Sequence, residues 1–150
     1  MPNRDKSTNT LPVASLVPQV ITSDTEGTAV DLRDCDAASI VFSVGANAAT
    51  QTLNSTNKLE LQLLESSGSA TGTSTGTYTA VAQADLTSGV TGSTRGAFYS
   101  LDSTAKLSAA NTVGYVGSKR FIKAKADEFG TVSIPVSVAV VKDDLNVMPR

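Results

Sequence analysis

Histidine is absent from this chain. Ser-His-Asp and Cys-His catalysis are therefore excluded, because both need an imidazole to take the nucleophile's proton. Tryptophan is absent too, and only three tyrosines are present. A carbohydrate-binding module presents several exposed rings for stacking, so this composition argues against one. The single cysteine, Cys35, leaves no intrachain disulfide to form. Asp34 and Asp36 flank it and oppose a thiolate, which makes it a passive small residue. No apolar run reaches the roughly 18 residues of a membrane span. Arg4 and Lys6 precede apolar residues that Pro12 and Pro18 interrupt, unlike the core of a secretory signal, so an intracellular origin is expected.

Charge is also scarce. Twelve Lys and Arg stand against fourteen acids, and the formal net charge is −2. Nucleic-acid binding needs a dominant basic face, which this balance does not supply. Asp31, Asp34 and Asp36 lie close together but lack calcium-loop spacing, and they are expected as solvated turn acids. Glu60 and Glu65 are an odd number of residues apart, so a strand would point them to opposite faces. Asp127 and Glu128 are expected in an exposed turn. The glycines from Gly68 to Gly76 are not followed by the Gly-Lys-Ser/Thr of a phosphate loop. No catalytic residue, metal site or cofactor is expected, and the role is expected to be non-enzymatic.

Period-two alternation fills the chain instead. It is strongest from Gly114 to Val141. There Ile122, Ala124 and Ala126 alternate with Phe121, Lys123 and Lys125, and Val132, Ile134, Val136, Val138 and Val140 follow after Gly130. The spacing predicts two strands joined as a hairpin by the turn Asp127 to Gly130. Ile40, Phe42 and Val44 form another inward row, and so do Leu59, Leu61 and Leu63, with Lys58, Glu60 and Gln62 facing out. Leu64 breaks that period and suggests a bulge or a change of sheet. Residues 66–77 and 87–96 are rich in Gly, Ser and Thr, with little to anchor them in a core, and mobile loops are expected there. About seven or eight short strands with regular turn signals predict an all-β fold, an antiparallel β-sandwich of jelly-roll type. Residues 28–141 form its single domain.

Outside that domain, residues 1–27 are expected as an extended N-terminal arm and 142–150 as a tail. The arm is polar at first. It then turns apolar at Leu11, Val13, Leu16, Val17, Val20 and Ile21, with two prolines that argue against a helix or a central strand. It is expected to lie on its own domain or on a neighbouring subunit. The basic cluster Lys119, Arg120, Lys123 and Lys125, beside Phe121, reads as a protein-partner surface, a plain solvated face or an edge guarded by lysines. Leu145, Val147 and Met148 are the apolar residues of the tail.

Taken in order, Ala29 to Arg33, Ser39 to Gly45, Leu59 to Ser66, Tyr78 to Leu86 and Val113 to Lys123 resemble the small β-sandwich structural proteins of tailed bacteriophages. These serve as head decoration, cement or head-fibre base proteins. The most specific part is Gly114 to Phe121, and the resemblance spans roughly residues 28–141. It implies a virion protein, made in the host bacterial cytoplasm, that binds the exterior of an icosahedral capsid and clamps neighbouring capsomers. Its partner would be the major capsid protein, and it would self-associate, as a homotrimer, without nucleic acid or membrane. The C-terminal residues and the enlarged glycine loops depart from the family pattern. Another virion part, such as a head-fibre anchor, tail or connector subunit, is the alternative; a carbohydrate-binding module is the more distant one. The candidate capsid contacts are Leu11, Val13, Leu16, Val17, Val20 and Ile21 of the arm, Lys119, Phe121, Lys123 and Lys125 of the strand face, and Leu145, Val147 and Met148 of the tail.

Overall fold

The structure is a computed structural model in which residues 10–33, 35–87 and 90–145 are described. Among the described residues, eleven antiparallel strands form two sheets and there is no α-helix, only the 3₁₀ turns Gln83–Asp85 and Thr104–Lys106. Sheet A holds β1 (Thr10–Ile21), β11 (Ile134–Leu145), β4 (Cys35–Val44), β9 (Ala109–Tyr115) and β7 (Leu86–Thr87), in that spatial order. Sheet B holds β10 (Phe121–Phe129) and β5 (Lys58–Ser66) at its centre. The short β2 (Thr25–Glu26) and β3 (Val30–Asp31) flank β10, while β6 (Thr79–Ala80) and β8 (Ala97–Leu101) flank β5.

With β2 and β3 counted as one interrupted strand, and β8 as the main partner beyond β5, the principal strands number eight in chain order. Sheet A then runs first, eighth, third, sixth, and sheet B second, seventh, fourth, fifth. That double Greek key is the jelly roll, as the alternation predicted. The two inner faces supply the core. Ile40, Phe42, Val136, Val138 and Val140 of sheet A meet Leu59, Leu61, Leu63, Ile122, Ala124 and Ala126 of sheet B, all buried. Phe42 lies against Phe98 and Tyr99, with ring centroids 5.2 and 4.9 Å apart.

Several expectations are corrected. β10 and β11 are not a hairpin, because they belong to different sheets. Residues 130–133 carry the chain from one sheet to the other. Gly130 turns there with φ +85°, and a Cβ on it would come within 2.4 Å of Asn57 Oδ1. That amide oxygen accepts the Thr131 N–H at 2.6 Å, and Asn47 Oδ1 accepts the Ser133 N–H at 2.9 Å. The 45–57 loop thereby holds the crossing in place.

Residues 10–21 are not an appendage. They form β1, an integral strand registered against β11 from Thr10↔Asp143 to Ile21↔Ile134. Leu16 and Ile21 are each 1% exposed and belong to the core. Prolines are tolerated because β1 is an edge strand and needs ladder donors on one side only. Its register shifts twice, between Ala14 and Leu16 and between Leu16 and Gln19. Ser15 closes this side of the sandwich. Its hydroxyl donates to Thr28 O and accepts the Ala124 N–H, both at 2.8 Å, joining β1 to β10 across the two sheets.

The glycine-rich segments lie over the outer face of sheet B. Glu60, Gln62 and Ser66, on the outer side of β5, are all buried. Leu64 is part of that covered row, β5 runs in unbroken register with β10, and the bulge is on β8 instead, where Phe98 is the extra residue opposite the Leu61–Gln62 step.

Candidate docking face

The two outer faces of the sandwich differ. On sheet B the strands present charge, and the charge is internally matched. Cross-strand neighbours share a face, so the register Phe121↔Ser66, Lys123↔Leu64, Lys125↔Gln62, Asp127↔Glu60 and Phe129↔Lys58 defines the outer rows. Lys123 pairs with Glu26 and lies 4.2 Å from the Tyr78 ring centre. Lys125 donates to Asp127 at 2.7 Å, and that hydrogen bond holds its ammonium above the usual lysine range. Gln62 donates to the other Asp127 oxygen. Lys119 Nζ reaches Ser67 Oγ at 3.3 Å. Phe121, expected to face outward and bind a partner, is 3% exposed. The Arg120 guanidinium covers one side of its ring at 4.7 Å, and Gly68 lies so close that a Cβ there would meet Phe121 Cε2 at 2.5 Å. The expected basic docking strip is thus committed to intramolecular contacts at Phe121, Lys123 and Lys125.

Glu60 is the most deeply placed acid of this face, with no solvent exposure. Asp127 is opposite it on β10, so a carboxylate pair that spacing along the chain did not reveal is made by register. Lys58 Nζ donates to Glu60 Oε1 at 2.7 Å, and Ser93 Oγ at 2.9 Å. Burial by itself would raise this carboxyl. The Lys58 hydrogen bond, with help from Thr94 and Ser93, outweighs it and brings the pKa to about 2. Ser93 belongs to the 87–96 segment, so the buried acid also ties that segment to the sheet.

At one end of the sandwich, Leu32, Arg33, Cys35, Tyr115, Lys119 and Arg120 help line an open groove of about 290 Å³. Asp31 beside it accepts two hydrogen bonds from Arg120, at 3.0 and 2.7 Å, and these hold its carboxyl well below the usual range. Cys35 Sγ donates to Leu32 O at 3.1 Å. Tyr115 donates to Glu65 at 2.7 Å, and burial together with that acid pushes its phenol upward. No cluster of three or more metal-ligating side chains occurs among the described residues.

Sheet A carries the opposite surface. Its outer rows are Pro12, Val141, Ser39 and Gly114; then Ala14, Ala139, Val41 and Thr112; then Ser137, Ser43 and Ala110; then Val20 and Pro135. None of these is charged. Asp143, paired with Thr10 and Ala37, marks the margin. The Ser43 and Ser137 hydroxyls bond one another at 2.8 Å, so the polar groups at the centre satisfy each other. Leu11, Val17, Val20 and Val41, four large apolar residues with 38–58% exposure, are all on this sheet. Two shallow grooves of about 440 and 280 Å³ run along the face and share Pro18, Ser43 and Ser137 as lining.

The candidate residues therefore separate. Leu11, Val17 and Val20 are exposed on β1, and Val13 is half-buried. Leu16 and Ile21 are core, which removes them as contacts. Leu145 ends β11 opposite Cys35, and Val147 and Met148 lie outside the described residues. Sequence reasoning missed Val41, Thr112, Ser43 and Ser137 as surface partners of β1. The signal was present in the alternate residues of β4 and β11, where every outward position from Ser39 to Ser43 and from Pro135 to Val141 lacks charge.

No family model matches the chain, and neither a curated protein nor a solved structure is similar enough to count as a match. Fold and surface define it as a jelly-roll domain with one outer face covered by its own loops and the other, among the described residues, bare and uncharged.

Proposed function

We propose that this chain is a non-enzymatic structural protein of a tailed-bacteriophage virion, attached to the exterior of an icosahedral capsid, where it stabilises contacts between capsomers. The observation that carries the assembly role is the charge-free outer face of sheet A. Extended apolar patches of this kind mark interaction surfaces on soluble domains. The resemblance of residues 28–141 supplies the location. The major capsid protein is the partner, and the virion is the place of action after synthesis in the host cytoplasm.

Shell contact is assigned to the end of the sandwich that carries exposed Leu11 and Val116. The groove flanked by Arg33 and Lys119 opens at the same end and offers cationic groups to an acidic shell. Self-association adds avidity, since each further contact on a shell is effectively intramolecular. A carbohydrate-binding reading is disfavoured by the rings themselves. Tyr99 and Tyr115 are buried, and Tyr78 is committed to Lys123.

Electron cryomicroscopy of particles incubated with the purified chain tests the proposal. Density on the shell exterior between capsomers supports it. Density confined to the portal or tail axis refutes it in favour of a connector or tail component.

A further inference from the structure

We infer that the bare face of sheet A is covered by the same face of a second copy of this chain, in a two-fold, face-to-face pair. The inference rests on reading the chain as an assembly component and names what occupies its assembly surface. Three observations select a second copy over another partner.

The first is charge. A two-fold contact sets a surface against itself, so any charge near the axis meets its own copy. From Pro12 to Val20 on β1, from Ser39 to Ser43 on β4, from Ala110 to Gly114 on β9 and from Pro135 to Val141 on β11, the outward rows hold no ionisable group. Such a face is self-compatible without any complementary pattern. The Ser43–Ser137 hydroxyl pair is already satisfied, so burying it leaves no orphaned donor.

The second is relief. Val41 stands at the middle of the face, between Ala139 and Thr112, beside a groove lined by Ala14, Ala110, Ser137 and Ala139. Ridge and groove occur on one surface, as an isologous interface requires. Lateral growth along β1 is disfavoured by contrast. This edge of sheet A carries Pro12 and Pro18, which lack N–H donors, and two register shifts distort its ladder; at the other edge the two-residue β7 caps Tyr115 and Gly114 of β9.

The third is size. Four to five strands about 4.8 Å apart and about seven residues long give a footprint of about 450–550 Å² per copy. A pair would bury about 900–1,100 Å², at the threshold of a specific interface. The pairing is therefore concentration-dependent in solution and favoured where copies are crowded on a shell.

Sedimentation velocity of the full chain from micromolar to near-millimolar concentration is the test, with small-angle scattering on the associated species. The expected result is a monomer–dimer equilibrium whose dimer is a compact stack of four sheets. Val41→Glu and Ala139→Glu should each weaken it at least about tenfold, the equivalent of one charge placed against its own copy. Val41→Thr should pair like the parent. Circular dichroism and thermal melts of each variant separate lost pairing from lost folding. A chain that stays monomeric throughout overturns the inference. So does a pair that survives both charge substitutions in folded variants, or a trimer, which would restore the arrangement implied by the phage resemblance. A dimer that fails to bind capsids supports the inference and removes the capsid reading; capsid binding by a strict monomer does the reverse.

Discussion

Replacing Lys58 by methionine should expose how sheet B tolerates a buried acid. Lys58→Met keeps an apolar stem against Phe129, whose ring centre is 5.0 Å from the ammonium, and removes the cation 2.7 Å from Glu60. Glu60 has no exposure, and its Oε2 has no hydrogen-bond partner among the described residues. Removing one member of a buried pair leaves the other charge uncompensated, at a cost of about 3–5 kcal/mol. The pKa gives a parallel figure. A carboxyl moved from 4.5 to about 2 on folding contributes about 3 kcal/mol above pH 4.5. In the parent, that contribution is lost as pH falls from 4.5 towards 2, because the unfolded chain takes up the proton first. In Lys58→Met the sign reverses. Burial without the cation raises the Glu60 carboxyl above its unfolded value, so the folded state takes up the proton first and gains stability as pH falls. The deficit relative to the parent should be about 3 kcal/mol at pH 7 and shrink towards pH 3, measured by urea unfolding at both. Adding Glu60→Gln to Lys58→Met should recover most of it at pH 7. A deficit below about 1 kcal/mol with no pH dependence would refute the reasoning, since an exposed pair behaves that way.

Other perturbations reach other parts of the fold. Phe42→Ala removes the ring between Phe98 and Tyr99 at the centre of the core and should cost about 3–5 kcal/mol in chemical denaturation. Ser15→Ala leaves the buried Ala124 N–H without its acceptor and should cost about 1–3 kcal/mol, with faster amide exchange at Ala124 as the local readout. Deleting residues 1–21 should abolish cooperative unfolding, because it removes the core residues Leu16 and Ile21 and the whole β1–β11 ladder; a truncated chain with an intact melt would contradict the placement of β1.

The inward rows were legible because side-chain period reports one-sided burial directly. Ile40, Phe42 and Val44, Leu59, Leu61 and Leu63, and the alternate residues Val132, Ile134, Val136, Val138 and Val140 all face the core as read. Which strand lies beside which was less legible. A four-residue turn containing glycine suits a hairpin, but the same residues also suit a crossing between sheets, and the choice was made by Asn47 and Asn57, distant in sequence. Period also says nothing of what covers an outer face. Glu60 and Phe121 point outward as read, yet both are buried, Phe121 beneath Gly68 and Arg120 and Glu60 beside Ser93. The prolines of β1 argued correctly against a helix and against a central strand, and the segment they interrupt is an edge strand.

The pairing of β1 with β11 has a consequence for how the chain comes to be folded. Thr10 is registered opposite Asp143, so β1 waits for β11, more than a hundred residues later in the chain. Sheet A cannot close until β11 has emerged, and Leu16 and Ile21 remain without their cover until then. Long-range ladders of this kind fold slowly and leave apolar strands exposed in the meantime. The charge-free outer rows of the same sheet are then the surface most open to premature association. A cell making this chain faster than β11 can dock onto β1 should accumulate it in aggregates, and lowering the temperature or the rate of synthesis should return it to the soluble fraction.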